Sequence, residues 1–553
     1  MKLSRPRVGS VTMAVIVSAY LLVLTNRTFL DKGLDYFSGH EAQFAGLVLA
    51  VLFLSVAVLT SLSLKYLIKP AFILLVLIGG SASYFTDAFG TIFDRDMIQN
   101  AIVTTPGEAH NLLTPNLFVH LAFYVVLPIL LISWTRIVHR PFRSKLLHNM
   151  AVIVPCVFGA LAIVALNYPA FASTFRERGD LLMTLNPGGP IVGAVKYARR
   201  LAKERNIVVA PLGRDAKQGT RLASAQLRSL TVIVVGETAR AQNFSLNGYA
   251  RNTNPELAKR SVLNFTNTSS CGTATAVSLP CMFSIYPRST YSGPKALATE
   301  NLVDVLTHAG VKVDWFDNNT GSKNVADRIS YEFLPNSNDT RFCSENECKD
   351  AILVERLKTY LQQRPQTGDA VVVLHQLGSH GPAYYKRYPA DFQHFGPACT
   401  TAQFADCRQE EIVAAYDNTI LYTDHILSEV IDLLKAEDPQ TATAMIYMSD
   451  HGESLGENGF YLHGTPYFMA PETQTHIPFI AWLSHPYAQA NGLDMKCLEG
   501  QQDRAFSHDN LFHTVLGLTD VSAEFYDRAL DAFASCRGLA GKIAGDAKTD
   551  GPS

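Results

Sequence analysis

Apolar residues follow two patterns along this chain, and the change from one to the other falls near residue 168. Before that point, uninterrupted apolar runs predict about five membrane-spanning helices: Val8 to Thr25, Phe44 to Leu64, Leu67 to Phe85, Leu117 to Trp134 and Met150 to Asn167. Runs of this kind have no polar face, which argues against buried helices of a soluble protein. In the second half, short Val- and Ile-rich runs each stop at polar residues. Leu230 to Val235 meets Gly236-Glu237-Thr238, Val311 to Phe316 meets Asp317-Asn318-Asn319, Ala370 to Leu374 meets His375, and Ala444 to Met448 meets Ser449-Asp450-His451. These read as strands buried on both faces of a central, mostly parallel sheet in an α/β domain, where ligands sit beyond the carboxyl ends of the strands. An active site is expected at that edge.

A chain of 553 residues exceeds one ordinary core. The expected division is an all-α transmembrane domain over 1–168, a linker over 169–228 and a catalytic domain over 229–553. The linker holds the basic stretch Lys196 to Arg205, which suits a surface helix on anionic headgroups or a solvated helix. The polar run from Val209 to Ser229 reads as a hinge.

Charge sets the orientation. Lys2, Arg5 and Arg7 precede the first span, Lys65 and Lys69 flank the second connection, and Arg136, Arg140, Arg143 and Lys145 separate the fourth and fifth, whereas the other loops carry Asp and Glu. By retention of basic loops in the cytoplasm, an odd number of spans puts the C-terminal domain outside, in a bacterial periplasm, with the spans in the inner membrane. Of nine cysteines, Cys156 lies in a span and the other eight group as Cys271 with Cys281, Cys343 with Cys348, Cys399 with Cys407, and Cys497 with Cys536. An even set without a Cys-x-x-Cys pair favours disulfides over zinc thiolates. A formal net charge of −2 argues against a nucleic-acid partner.

Glu237, Asp450 and His451 offer oxygen and nitrogen donors that suit Zn²⁺ better than Mg²⁺. A fourth ligand is expected from a hydroxyl in the Ser269 to Cys281 loop, at the start of a helix, and spacing leaves both Thr273 and Thr275 open. His380 and His463 sit in Gly-flanked loops that allow close approach to a ligand, Lys323 follows a strand end as a cation for phosphate oxygens, and Asn100, Thr104 and Glu108 recur every four residues outside the third span.

Five stretches closely resemble the lipid A phosphoethanolamine transferases, including the mobile colistin-resistance enzymes. They are Gly236-Glu237-Thr238, Ser270-Cys-Gly-Thr-Ala-Thr-Ala-Val-Ser-Leu-Pro-Cys-Met-Phe-Ser284, Asp317-Asn-Asn-Thr-Gly-Ser-Lys323, His375-Gln-Leu-Gly-Ser-His-Gly-Pro-Ala-Tyr-Tyr-Lys-Arg-Tyr388 and Ser449-Asp-His-Gly-Glu-Ser-Leu-Gly-Glu-Asn-Gly459. The resemblance covers nearly the whole chain. It implies an alkaline-phosphatase-like fold, Thr275 as nucleophile, and zinc held by Glu237, Thr275, Asp450 and His451, with one ion firmly bound. It further implies that His380, His463, Lys323 and Asn319 handle phosphate, ethanolamine or a second zinc, and that Asn100, Thr104 and Glu108 contact lipid headgroups. The implied reaction is ping-pong transfer of phosphoethanolamine from phosphatidylethanolamine to a phosphate of lipid A, by a monomer among membrane lipids. Rival readings are the same donor chemistry on a core sugar or periplasmic glucan, and a membrane-tethered lipid-binding protein without turnover. A sulfatase needs Cys or Ser followed two residues later by Pro and then Arg, and neither Cys271-Gly-Thr nor Cys281-Met-Phe meets that.

Overall fold

The computed structural model describes residues 5–538 apart from 105, 179, 205–206, 345–346, 365–366 and 438. Lys2 and Arg205 therefore lie outside the described residues. The chain forms two compact units, one from Met1–Ile98 with Leu113–Ala198 and the other from Gln99–Leu112 with Arg199–Ser553.

In the first unit, Glu41–Ser61, Ile68–Phe89, Pro115–Trp134 and Phe142–Leu166 are each long and apolar enough to cross a membrane. The first expected span is shorter than its apolar run. Its helix, Ser10–Leu24, is followed by Arg27–Tyr36 at a bend of 64°, so the two count as a span only together. Asn26 sits at that break, its Nδ2 donating to the carbonyls of Leu21 (2.9 Å) and Asn186 (2.8 Å). The fifth helix begins at Phe142, ahead of the apolar run, because Arg143 to Asn149 continue it as a polar first part. Pro128 interrupts Pro115–Trp134, where the chain widens to a π-helix over Ala122–Val126. Proline has no N–H for the carbonyl four residues back. That carbonyl, on Tyr124, accepts the Tyr20 hydroxyl at 2.5 Å instead. Arg7–Gly9 pairs in parallel with Arg136–Val138, bringing the N-terminal basic segment and the loop between the fourth and fifth helices to the same end of the unit.

The second unit is built on an eight-stranded sheet. Its strands, in chain order, are β1 Arg228–Gly236, β2 Leu263–Ser269, β3 Lys312–Asp317, β4 Ser330–Phe333, β5 Ala370–His375, β6 Thr441–Ser449, β7 His476–Leu483 and β8 Phe506–Ser507. Their spatial order is β8-β2-β7-β6-β1-β5-β3-β4, and only β7 runs against its neighbours. The middle strands are buried along both faces, as their unbroken Val and Ile runs require. Ile233, Val235, Trp315, Val371, Val373, Ile446 and Phe479 share one core cluster. Registers align the strand ends: Gly236 lies opposite Ser449 and Val235 opposite His375, which in turn lies opposite Asp317. The residues that follow are thereby delivered to one edge.

The run from Val209 to Ser229 is tied down rather than loose. Arg221 donates from Nε to Asp520 Oδ1 (2.6 Å) and from Nη2 to the Gly517 carbonyl (2.7 Å). Four disulfides close, Cys271–Cys281, Cys343–Cys348, Cys399–Cys407 and Cys497–Cys536, and Cys156 is free.

Candidate active site

Glu237 leaves the end of β1, and Asp450 and His451 leave the end of the adjacent β6. All three are fully buried, and their donor atoms lie within 4.8 Å of one another, a group able to hold a metal ion. His451 Nδ1 lies 2.9 Å from the Gly452 carbonyl, a contact that requires the proton on Nδ1 and leaves a lone pair on Nε2. That Nε2 stands 3.3 Å from Asp450 Oδ2 and 3.5 Å from Glu237 Oε1. Burial, with His463 next to it, pushes the His451 pKa well below its ordinary value, so the ring is neutral. Three electron-pair donors thus face one another, and burial raises the Asp450 pKa, an arrangement that a cation satisfies.

Thr275 opens the helix Thr275–Met282. Its Oγ1 donates to Glu237 Oε2 at 3.0 Å and lies 3.4 Å from His451 Nε2. The Thr273 hydroxyl instead donates to the Thr465 carbonyl at 2.6 Å. Geometry therefore separates the two threonines that spacing leaves open. The helix is anchored by Ser278, whose hydroxyl donates to the Asp450 carbonyl, and the Cys271–Cys281 disulfide spans the turn that presents Thr275.

Around this centre, His463 links two imidazoles, with ring centroids 4.5 Å from His451 and 5.3 Å from His380. Its Nδ1 is 3.5 Å from Glu453 Oε2. His380 is buried, and its pKa falls well below the ordinary value through burial first and the neighbouring His463 and Arg387 next. Asn319 Nδ2 donates to Glu237 Oε2 (2.6 Å) and to the Gln376 carbonyl (2.8 Å), so it orients a carboxylate of the centre. Lys323 Nζ donates to the Thr320 carbonyl and hydroxyl, both at 2.7 Å. Asn100 and Thr104 lie one turn apart, joined by the Thr104 hydroxyl and the Asn100 carbonyl at 2.8 Å. Glu108 falls in the helix Pro106–Leu112, with its side chain outside the described residues.

Several supporting residues carry no sequence signal strong enough to single them out. His508 accepts the Cys271 N–H at Nδ1 (3.0 Å) and contacts the Ser449 carbonyl through Nε2 (2.9 Å), tying the Thr275 loop to the end of β6. Burial lowers its pKa to about 4, consistent with a neutral ring. Thr238 adopts φ 51°, uncommon for a β-branched residue. Its carbonyl accepts the Tyr416 hydroxyl at 2.7 Å, and that hydroxyl accepts the Arg240 N–H at 2.9 Å. Glu453 belongs to the Asp450-His451 run and could have been noticed there.

The sulfatase family model matches residues 229–521, and the model described as phosphoethanolamine transferase EptA/EptB matches residues 51–202. The chain is 40% identical over 545 residues to phosphoethanolamine transferase EptA of Escherichia coli (strain K12), covering 97% of this chain and 98% of that relative. It is 35% identical over 539 residues to phosphatidylethanolamine transferase Mcr-1 of Escherichia coli, covering 94% and 96%. Among solved structures, the integral membrane protein lipooligosaccharide phosphoethanolamine transferase A from Neisseria meningitidis superposes with a TM-score of 0.92 at 35% identity, covering 96% of this chain and 100% of that one.

Proposed function

The chain belongs to the phosphoethanolamine transferase family, and we propose that it moves phosphoethanolamine from phosphatidylethanolamine to a phosphate of lipid A through a phosphoethanolamine-Thr275 intermediate. It is a multi-pass inner-membrane enzyme with its catalytic domain in the periplasm. The observation that carries the mechanism is the Thr275 hydroxyl, held between Glu237 Oε2 and His451 Nε2 at the start of a helix.

The donor spacing favours zinc. Ligand bonds of about 2.0–2.1 Å in a tetrahedron put neighbouring ligand atoms about 3.3 Å apart. Thr275 Oγ1 lies 3.0 Å from Glu237 Oε2 and 3.4 Å from His451 Nε2, and that Nε2 lies 3.3 Å from Asp450 Oδ2 and 3.5 Å from the other Glu237 oxygen, Oε1, spacings a zinc ion could span. Glu237, Asp450, His451 and Thr275 would hold the zinc ion, which would supply positive charge that makes the hydroxyl a usable nucleophile and offsets charge on phosphate oxygens.

In the first half-reaction, Thr275 Oγ1 forms a bond to phosphorus as its proton passes to Glu237 Oε2, which accepts that hydroxyl at 3.0 Å, and the bond from phosphorus to the glycerol oxygen breaks. His463, backed by Glu453, gives that oxygen its proton, releasing diacylglycerol, while the neutral His380 ring borders it. In the second, a lipid A phosphate oxygen takes the phosphorus and Thr275 recovers its proton from Glu237 Oε2. Asn319 positions Glu237 throughout. Mass spectrometry of lipid A from cells expressing the wild type or Thr275→Ala tests the reading. A gain of one phosphoethanolamine that depends on Thr275 is expected, and unmodified lipid A alongside well-expressed wild-type protein would overturn the acceptor assignment.

A further inference from the structure

A cavity of about 260 Å³ in the second unit is lined by Glu347, Lys349, Leu377, Tyr385, Lys386 and Arg387, among others. It adjoins the loop that carries His380. Leu377 lines it, and Arg387 Nε donates to the His380 carbonyl at 2.7 Å. Its volume gives room for a phosphate group with part of its hydration.

Among the described residues, the lining brings Lys349, Lys386 and Arg387 together with Glu347. Glu347 is engaged by Arg387, Nη1 to Oε2 at 2.8 Å. Asn111 joins the same cluster, accepting from Lys386 Nζ at 2.9 Å and donating to Glu347 Oε1 at 3.3 Å. Asn111 belongs to the segment 99–112, which also carries the proposed headgroup residues Asn100 and Thr104. Lys349 is half-buried and has no acidic partner among the described residues. Burial and then the Arg387 charge lower its pKa, so its ammonium lacks compensation that an anion would provide.

We propose that this cavity is a subsite for a phosphate group of a lipid headgroup, separate from the phosphate that meets Thr275. The assignment to a lipid rests on the transfer reading given above. The donor carries a single phosphate, the one that meets Thr275, so the phosphate ester that fits this subsite is the acceptor's, with lysine as its point charge.

The test labels the full-length protein in detergent with an amine-acetylating reagent and follows Lys349 by peptide mass spectrometry, with the exposed Lys358 as reference. Inorganic phosphate is expected to slow acetylation of Lys349 at least fivefold relative to chloride at equal ionic strength, leaving Lys358 unchanged. Protection by lipid A vesicles assigns the acceptor phosphate, and protection by phosphatidylethanolamine vesicles but not by lipid A vesicles overturns the separation from the phosphate at Thr275. Absence of protection by any of them, or equal slowing of Lys358, overturns the proposal. Labelling needs no turnover. Phosphate protection in a protein that leaves lipid A unmodified would sink the transfer reading while keeping the subsite.

Discussion

Asn319 donates a 2.6 Å hydrogen bond to Glu237 Oε2, the oxygen that also accepts the Thr275 hydroxyl. One amide thus fixes the carboxylate against which the proposed nucleophile is held. A residue that orients a metal ligand typically contributes about 10–100-fold in metal affinity or activity. Asn319→Ala is expected to weaken zinc binding by about that factor, measured by chelator competition, with circular dichroism unchanged. Unaltered affinity would remove Asn319 from this role.

Gly378 lies at φ +52°, where a Cβ would come within 2.7 Å of the Glu237 carbonyl oxygen. Gly378→Ala combines that clash with a left-handed backbone that costs about 1–2 kcal/mol for a residue bearing a side chain. The expected result is a lower melting temperature and a loss of transfer larger than the stability change alone explains.

The Cys271–Cys281 disulfide closes a loop around Thr275 with a sequence separation of 10. Replacing both cysteines by serine is expected to destabilise the domain by about 2–4 kcal/mol in thermal unfolding. Transfer should fall further than stability, because Thr275 then loses a constraint on its position.

Asp424 Oδ2 and Oδ1 accept the N–H groups of Glu256 (2.9 Å) and Leu257 (3.0 Å), yet burial raises its pKa from 3.8 to about 7. Because the folded value exceeds the unfolded one, the folded state binds this proton more tightly. The group's contribution is fully present below about pH 4 and is lost as pH rises through about 7, by about 4 kcal/mol at most. Asp424→Asn should flatten that part of the dependence of melting temperature on pH. An identical slope in the variant would contradict it.

The edge on which the site lies was legible because four apolar runs ended in Glu237, Asp317, His375 and Asp450, and strand burial forces such runs into the sheet. Disulfide partners are legible from their proximity in sequence, except for Cys497 and Cys536, which lie 39 residues apart and pair only as the two that remain. The antiparallel β7 was not singled out, since a buried strand has the same pattern in either direction. Asn319 and Lys323 carry the side chains expected of phosphate binders, and turn geometry, which residue type does not show, also brings Asn319 to Glu237 and Lys323 to Thr320. His508 stands far along the chain from the residues it joins, so only the fold brings it to Cys271 and Ser449. The first membrane helix ends at Leu24 because Asn26 bonds outward to Asn186, a long-range contact that hydropathy does not register.

The most direct test of the Thr275 intermediate is peptide mass spectrometry of the full-length enzyme incubated with phosphatidylethanolamine and no acceptor. A single phosphoethanolamine on the peptide carrying Thr275, discharged when lipid A is added, is the expected result. Continued transfer to lipid A without any such adduct, or an adduct on another residue, would contradict it.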